Sequence, residues 1–216
     1  MLGHLRSLAA AVLGPLARFL LRRGVSPDAV TVVGTVGVVA AGLGLLGTGH
    51  LLAGSLTIAV LALTDSIDGI MARTAGRSGP WGAFLDSTLD RFGDAAIFVG
   101  LTVHLSLRGD DLGAGLALAC LVLGSVVPYA RARAEGLGMT AAVGIAERAD
   151  RLAVVLLGTF VVGLGAPYAV LDVFLGLLAV ASAVTVGQRM ATVRRQATGA
   201  ALPAPGHGGQ ATGSTQ

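Results

Sequence analysis

Lysine is absent: all 15 basic side chains of the 216-residue chain are arginine, set against 12 acids. Charged residues make up only 12% of the chain, where a soluble domain carries about 25%. Aromatic residues amount to 4% and the net charge to +3, both too low for a nucleic-acid-binding surface. One cysteine, Cys120, excludes an internal disulfide, and its apolar surroundings point to a buried structural thiol. What is abundant is apolar: 54% hydrophobic residues and a mean hydropathy of +0.79. A disordered chain needs the opposite composition. The expectation is an all-α integral membrane protein built as a single bundle.

No Asp, Glu or Arg occurs from Ala29 to Thr64. One helix crosses a bilayer with about 20 residues, so this stretch predicts two spans, about 29–46 and 51–73, joined by a turn at Gly47-Thr48-Gly49-His50. A third helix is expected from Pro80 to about Leu107, a fourth over 112–134, a fifth over 148–165 and a sixth over 168–190, with Gly165-Ala166-Pro167 as the last break. Six spans place both termini on one side. Arg73, Arg77, Arg131, Arg133, Arg148, Arg151 and Arg189 then fall at inner ends or loops, and Arg108 alone at an outer one. That asymmetry predicts a cytoplasmic location for the inner ends.

Outside the spans, residues 1–25 read as a juxtamembrane helix lying in the membrane interface. Leu2, Leu5, Leu13, Leu16, Phe19 and Leu20 fall on one side, with Arg18 and Arg22 opposite. Residues 26–195 form the membrane domain. The stretch 196–216, rich in Gly, Ala, Pro, Thr and Gln, reads as a disordered tail. The many glycines, Gly34, Gly37, Gly42, Gly44 and Gly47 among them, predict close helix packing; they do not form a nucleotide loop.

The chemistry concentrates in carboxylates inside the apolar bundle. Asp65 and Asp68 are three apart on the second helix, Asp86 and Asp90 four apart on the third, and both spacings keep side chains on one face. The two helices are antiparallel neighbours, so the four acids stand at similar depth near one membrane face. One intramembrane carboxylate costs on the order of 2.5–3.5 kcal/mol, and mutual repulsion adds to that. One or two divalent cations remove the difficulty; oxygen ligands without nearby His or Cys suit Mg²⁺ or Mn²⁺ and not Zn²⁺. Ion pairing with Arg73 and Arg91 is a weaker reading, since two arginines do not neutralise so many acids. Transport of protons or cations is another, but the acids do not extend across the bilayer as a conduction path requires. Asp94 continues the same face one turn beyond Asp90 and is read either as support for the site or as a partner of an arginine.

The pattern Asp65-x2-Asp68-Gly69-x2-Ala72-Arg73-x8-Gly82-x3-Asp86-x3-Asp90 resembles the signature of the CDP-alcohol phosphotransferases. Leu85-Asp-Ser-Thr-Leu-Asp90-Arg91, Tyr129-Ala-Arg131-Ala-Arg133-Ala-Glu135 and Ile145-Ala-Glu147-Arg148-Ala-Asp150-Arg151 are similar to one branch of that family, the actinobacterial phosphatidylinositol phosphate synthases. The resemblance implies that an acceptor hydroxyl attacks the lipid-side phosphorus of CDP-diacylglycerol and that CMP leaves. It implies two metal ions held by Asp65, Asp68, Asp86 and Asp90, with Asp90 also the general base. It implies a CDP-diacylglycerol site made by Asp28, Ala29, Val30, Thr31, Gly69, Arg73 and Gly79. Ser26 and Pro27 also read as the N-cap and first residue of a helix. At Gly79 the family usually carries Ser or Thr, so only a backbone contact is open there. Arg131 stands where relatives often have Lys, and Ala149 where they often have Pro.

For the acceptor, the branch resemblance implies an inositol phosphate, whose unreactive phosphate is assigned to Arg131, Arg148 and Arg189. The guanidinium fork suits phosphate oxygens, although positive-inside topology also puts basic residues at these ends. Glycerol 3-phosphate is the rival acceptor. A homodimer in the cell membrane, with its active site on the cytoplasmic side, completes the expectation.

Overall fold

The computed structural model describes residues 13–76 and 79–199, the side chains of Thr64 and Asp65 excepted. Those residues form helices only. A helix α1 over 13–22 is followed by α2 (Pro27–Ala41), which passes into a π-helical turn (Gly42–Leu46). Then come α3 (Leu51–Ala62), α4 (Thr64–Thr74), α5 (Pro80–Leu107), α6 (Asp111–Glu135), α7 (Arg148–Gly163) and α8 (Tyr168–Gly199). Among the described residues, four stretches are long and apolar enough to cross a membrane: Pro27–Leu46, Leu51–Thr74, Asp111–Glu135 and Tyr168–Gly199. Val33, Val60, Leu177 and Val180 on them are more than 60% exposed, an arrangement that a lipid surround makes favourable. The chain is a multi-pass membrane protein. α7 has only 16 residues, and α5 carries Asp86, Asp90, Arg91 and Asp94 within its first 15 residues, which is why neither qualifies by length and charge.

Local chemistry explains most boundaries. Pro27 opens α2 behind Ser26, whose Oγ accepts from the Ala29 N–H at 3.2 Å. Pro80 opens α5. Asp110 caps α6, its Oδ1 accepting from Gly113 N–H at 2.9 Å. Glu147 and Asp150 form a reciprocal capping box at the start of α7.

Two expectations are corrected and one, the first span, is refined. The single helix expected over 51–73 is broken at Leu63, where the apolar run turns polar at Thr64-Asp65-Ser66. The expected first span ends in the π turn, with Gly47 N–H bonded to Gly42 O at 3.1 Å. The last helix does not stop at 190 or 195 but runs to Gly199. Its polar end is held by Gln196, whose side chain accepts from Thr140 N–H at 3.0 Å and donates to Thr140 O at 2.6 Å. The rest of the expected tail, from 200 onward, lies outside the described residues, as do residues 1–12 of the expected interfacial helix. In α1, Ala17 is buried against Ile67 and Met71 of α4, while Leu16 and Phe19 remain about half exposed. The apolar face of α1 is thus divided between the protein and its surroundings.

In the bundle, α6 packs between α5 and α8, α2 against α5, and α3 against α7. Leu46, Ile58, Leu101, Leu105, Leu171 and Leu175 are fully buried, and so is Cys120, whose thiol faces Leu175 O at 3.3 Å. Gly42 is needed for the α2–α5 contact: a Cβ there would lie 2.8 Å from the Ala96 carbonyl carbon. This close approach fixes α5 beside the π turn and α2, and so positions its acids.

Candidate functional site

The N-termini of α2, α5 and α7 and the C-terminus of α4 meet at one end of the bundle. There an open cavity of about 640 Å³ is lined by Asp28 and Thr31 of α2, Asp68, Gly69 and Arg73 of α4, Gly79, and Trp81 and Asp86 of α5. Seven of these eight were expected from the sequence. Trp81 was not.

Asp68 is 7% exposed, and its Oδ2 accepts the Thr31 hydroxyl at 2.6 Å, which fixes the carboxylate toward α2. Thr31 therefore reaches the site through its side chain. Asp28 Oδ2 accepts from the Trp81 indole Nε1 at 3.0 Å, tying α2 to α5 across the cavity. The Arg73 guanidinium folds back over Gly69, where a Cβ would stand at a contact distance of 3.4 Å from Nη1. Ala29 and Val30 do not line the cavity; Val30 packs instead with Ile67 and Met71 beside α1.

Behind the cavity, Asp90 Oδ1 pairs with Arg148 Nη1 at 2.8 Å, and Asp90 Oδ2 lies 3.6 Å from Arg91 Nη2. One turn on, Asp94 Oδ1 accepts from Arg148 Nε and Asp94 Oδ2 from Arg151 Nη2, both at 3.3 Å. Arg91 Nη2 is 3.9 Å from Asp94 Oδ2. Arg151 is 3% exposed and also donates to Ala146 O at 3.3 Å. The Nε atoms of Arg91 and Arg151 are buried without a hydrogen-bond partner. An unsatisfied buried donor is costly, more so on a cation, and marks a place where an anion would be favoured.

The other two arginines expected at the acceptor, Arg131 and Arg189, stand differently. Arg131 pairs with Glu135 at 2.8 Å on the exposed end of α6. Arg189 is buried; its Nε donates to Val143 O at 2.9 Å and its Nη1 to Val127 O at 2.5 Å. Two of its five N–H groups thus tie α8 to α6 and to the segment before α7.

Hard carboxylate oxygens from three helices at one polar cavity, Asp68 among them buried, are the donor set that suits a divalent cation such as Mg²⁺ or Mn²⁺. No group of three or more acids closes such a site among the described residues. The Asp65 side chain, expected to join Asp68 and Asp86, is not among them.

Residues 24–186 match the family model described as CDP-alcohol phosphatidyltransferase. The chain is 45% identical over 203 residues to the phosphatidylinositol phosphate synthase of Cutibacterium acnes, covering 90% of this chain and 98% of that one. It superposes with a TM-score of 0.81 and 41% identity on the crystal structure of Mycobacterium tuberculosis phosphatidylinositol phosphate synthase with CDP-DAG bound, covering 85% of this chain and 94% of that one. A crystal structure of the same synthase in complex with manganese and citrate gives a TM-score of 0.82 at 40% identity, covering 84% of this chain and 88% of that one. With its acid-lined cavity and a match across most of its length, the chain belongs to the CDP-alcohol phosphatidyltransferase family.

Proposed function

We propose that this chain transfers the phosphatidyl group of CDP-diacylglycerol to an inositol phosphate, releasing CMP and phosphatidylinositol phosphate. The observation that carries the reading is the cavity: residues from α2, α4 and α5 that the family pattern implies for nucleotide and metal line a single space. The names of the relatives support the acceptor.

Two divalent ions, Mg²⁺ or Mn²⁺, are proposed at Asp65, Asp68, Asp86 and Asp90, where they would neutralise the diphosphate and stabilise departing CMP. Thr31 orients Asp68 by its 2.6 Å bond. Asp28, Gly79 and the exposed face of Trp81 border the nucleotide, and Arg73, folded over Gly69, takes a phosphate oxygen. Asp90 is the general base that accepts the proton of the attacking hydroxyl. Arg148 bridges the two halves of the reaction. It touches Asp90 at 2.8 Å, so a phosphate held by Arg148 brings the inositol hydroxyl next to that base. Arg131 and Arg189 border the same acceptor region from α6 and α8.

The finer topology belongs to this reading: six spans, with α5 and α7 crossing between the four longer ones, α1 in the interface, and the arginine-rich end in the cytoplasm of the cell membrane. A homodimer is part of the same proposal; the mass of the detergent-solubilised protein tests it. The catalytic proposal is tested with purified protein, CDP-diacylglycerol, Mg²⁺ or Mn²⁺ and inositol 1-phosphate. CMP release that requires both the metal and the acceptor supports it. Ion flux through vesicles without CMP release would favour the transport reading.

A further inference from the structure

We propose that Asp94 is the positioning residue for the acceptor site: it holds Arg148 and Arg151 in place for the acceptor phosphate without itself touching substrate. The proposal rests on the phosphatidyl-transfer reading above. Its basis is the asymmetry between Asp90 and Asp94. Both lie on the same face of α5, yet neither lines the cavity where Asp68 and Asp86 meet. Asp90 meets Arg148 at Nη1. Asp94 holds Arg148 by Nε and Arg151 by Nη2, so one carboxylate spans two arginines a helical turn apart on α7.

The charges make the purpose specific. Arg91, Arg148 and Arg151 surround Asp94, three cations to one anion. When Asp90 serves as base and ligand, its charge belongs to the reaction, and the three guanidinium groups around Asp94 favour a further anion. A phosphate monoester dianion is the complement. Arg151 is 3% exposed, and its buried Nε has no partner. Its Nε lies beside Gly124, where a Cβ would stand at a contact distance of 3.4 Å. Without Asp94, the neighbouring guanidinium groups of Arg148 and Arg151 would repel with no carboxylate between them, and the contact at Arg148 Nε would be lost.

The test uses Asp94→Asn and Asp94→Glu in the full chain, reconstituted in lipid. Asn keeps the shape and loses the charge; Glu keeps the charge and shifts it by one methylene. CDP-diacylglycerol affinity is read from the emission of Trp81, the one tryptophan of the chain, which borders the cavity. CMP release gives kcat and the KM for inositol 1-phosphate. Asp94→Asn is expected to raise the acceptor KM about tenfold or more, as for loss of charged hydrogen bonds, and to change kcat far less. Affinity for CDP-diacylglycerol stays within about twofold. Asp94→Glu recovers part of the acceptor KM. In an Arg148→Ala, Arg151→Ala background, Asp94→Asn has no further effect on acceptor KM, because the groups it acts through are gone. An unchanged acceptor KM in Asp94→Asn overturns the proposal. A parallel loss of CDP-diacylglycerol affinity also overturns it, since Asp94 would then belong to the nucleotide or metal site. Lower thermal stability with an unaltered KM would reduce Asp94 to a structural ion pair. Failure of the wild-type protein to release CMP with inositol 1-phosphate would instead bring down the phosphatidyl-transfer reading itself.

Discussion

The two ends of the bundle use polar side chains in different ways. Opposite the cavity, polar groups are mostly taken up by the fold. Asp110 caps α6, Arg108 stacks 3.8 Å above the Tyr168 ring, and the Tyr168 hydroxyl meets His104 Nε2 at 3.0 Å. At the cavity end, Asp68 and Asp86 border open space, and two arginine Nε atoms are buried without partners. Satisfied polar groups stabilise; groups held in place with bonding capacity left over are available to a ligand. Asp172 departs from this division, for its Oδ1 is buried without a partner at the end away from the cavity.

The sharpest way to break the comparison is to remove a cavity acid. Asp86→Asn and Asp68→Asn are each expected to lower kcat/KM by about a thousandfold, roughly 4 kcal/mol of transition-state stabilisation, with the protein still folded. CMP release beside a thermal melt checks this; near-normal turnover in either variant would contradict it. Next in size is Arg148→Ala. It should raise the acceptor KM by about ten- to a hundredfold, the loss of a charged hydrogen bond of ~1.5–3 kcal/mol, and leave the CDP-diacylglycerol KM nearly unchanged. Parallel loss of both constants would detach Arg148 from the acceptor.

Thr31→Val removes the hydroxyl that orients Asp68 while keeping the side chain's shape. One hydrogen bond to a carboxylate corresponds to about 1.5–3 kcal/mol, so metal activation should require tenfold or more added Mg²⁺. An unaltered metal titration would mean that Asp68 needs no such support. Arg108→Ala should reverse the pattern, lowering stability by ~0.5–1 kcal/mol through the lost contact with Tyr168 and leaving the kinetics alone. The smallest effect is expected for Asp172→Asn. It removes a charge close to Asp110, so turnover should be unchanged and the melting temperature equal or higher. A kinetic defect there would erase the difference between the ends.

Much of this division was legible in the sequence. Apolar runs set the helices to within a few residues, because a bilayer demands length and hydropathy together. The spacing of Asp68, Gly69 and Arg73 and of Gly82 and Asp86 placed α4 and α5 at the cavity, because i,i+3 and i,i+4 positions share a face. What escaped was set by contacts distant in sequence. Thr31 reaches Asp68 across 37 residues, Trp81 reaches Asp28 across 53, and Asp94 reaches Arg151 across 57. Local periodicity carries no trace of such pairs. Arg189 shows the converse: its branch motif suggested a phosphate ligand, and its guanidinium is also a tie between carbonyls of two other segments. The break at Leu63 was hidden by the continuous apolar character of α3, although the polar Thr64-Asp65-Ser66 that follows was a signal for it.

The central claim is that cavity acids and acceptor arginines, joined through Asp90 and Arg148, form one site for one reaction. Its most direct measurement is a competition among acceptors, with purified protein, CDP-diacylglycerol and Mg²⁺ or Mn²⁺, and lipid products identified by mass. Supplied with inositol 1-phosphate, glycerol 3-phosphate and unphosphorylated inositol together, the protein should form phosphatidylinositol phosphate in large excess, with CMP released in equal amount. Inositol accepted as readily as its phosphate, or phosphatidylglycerol phosphate as the main product, would contradict it.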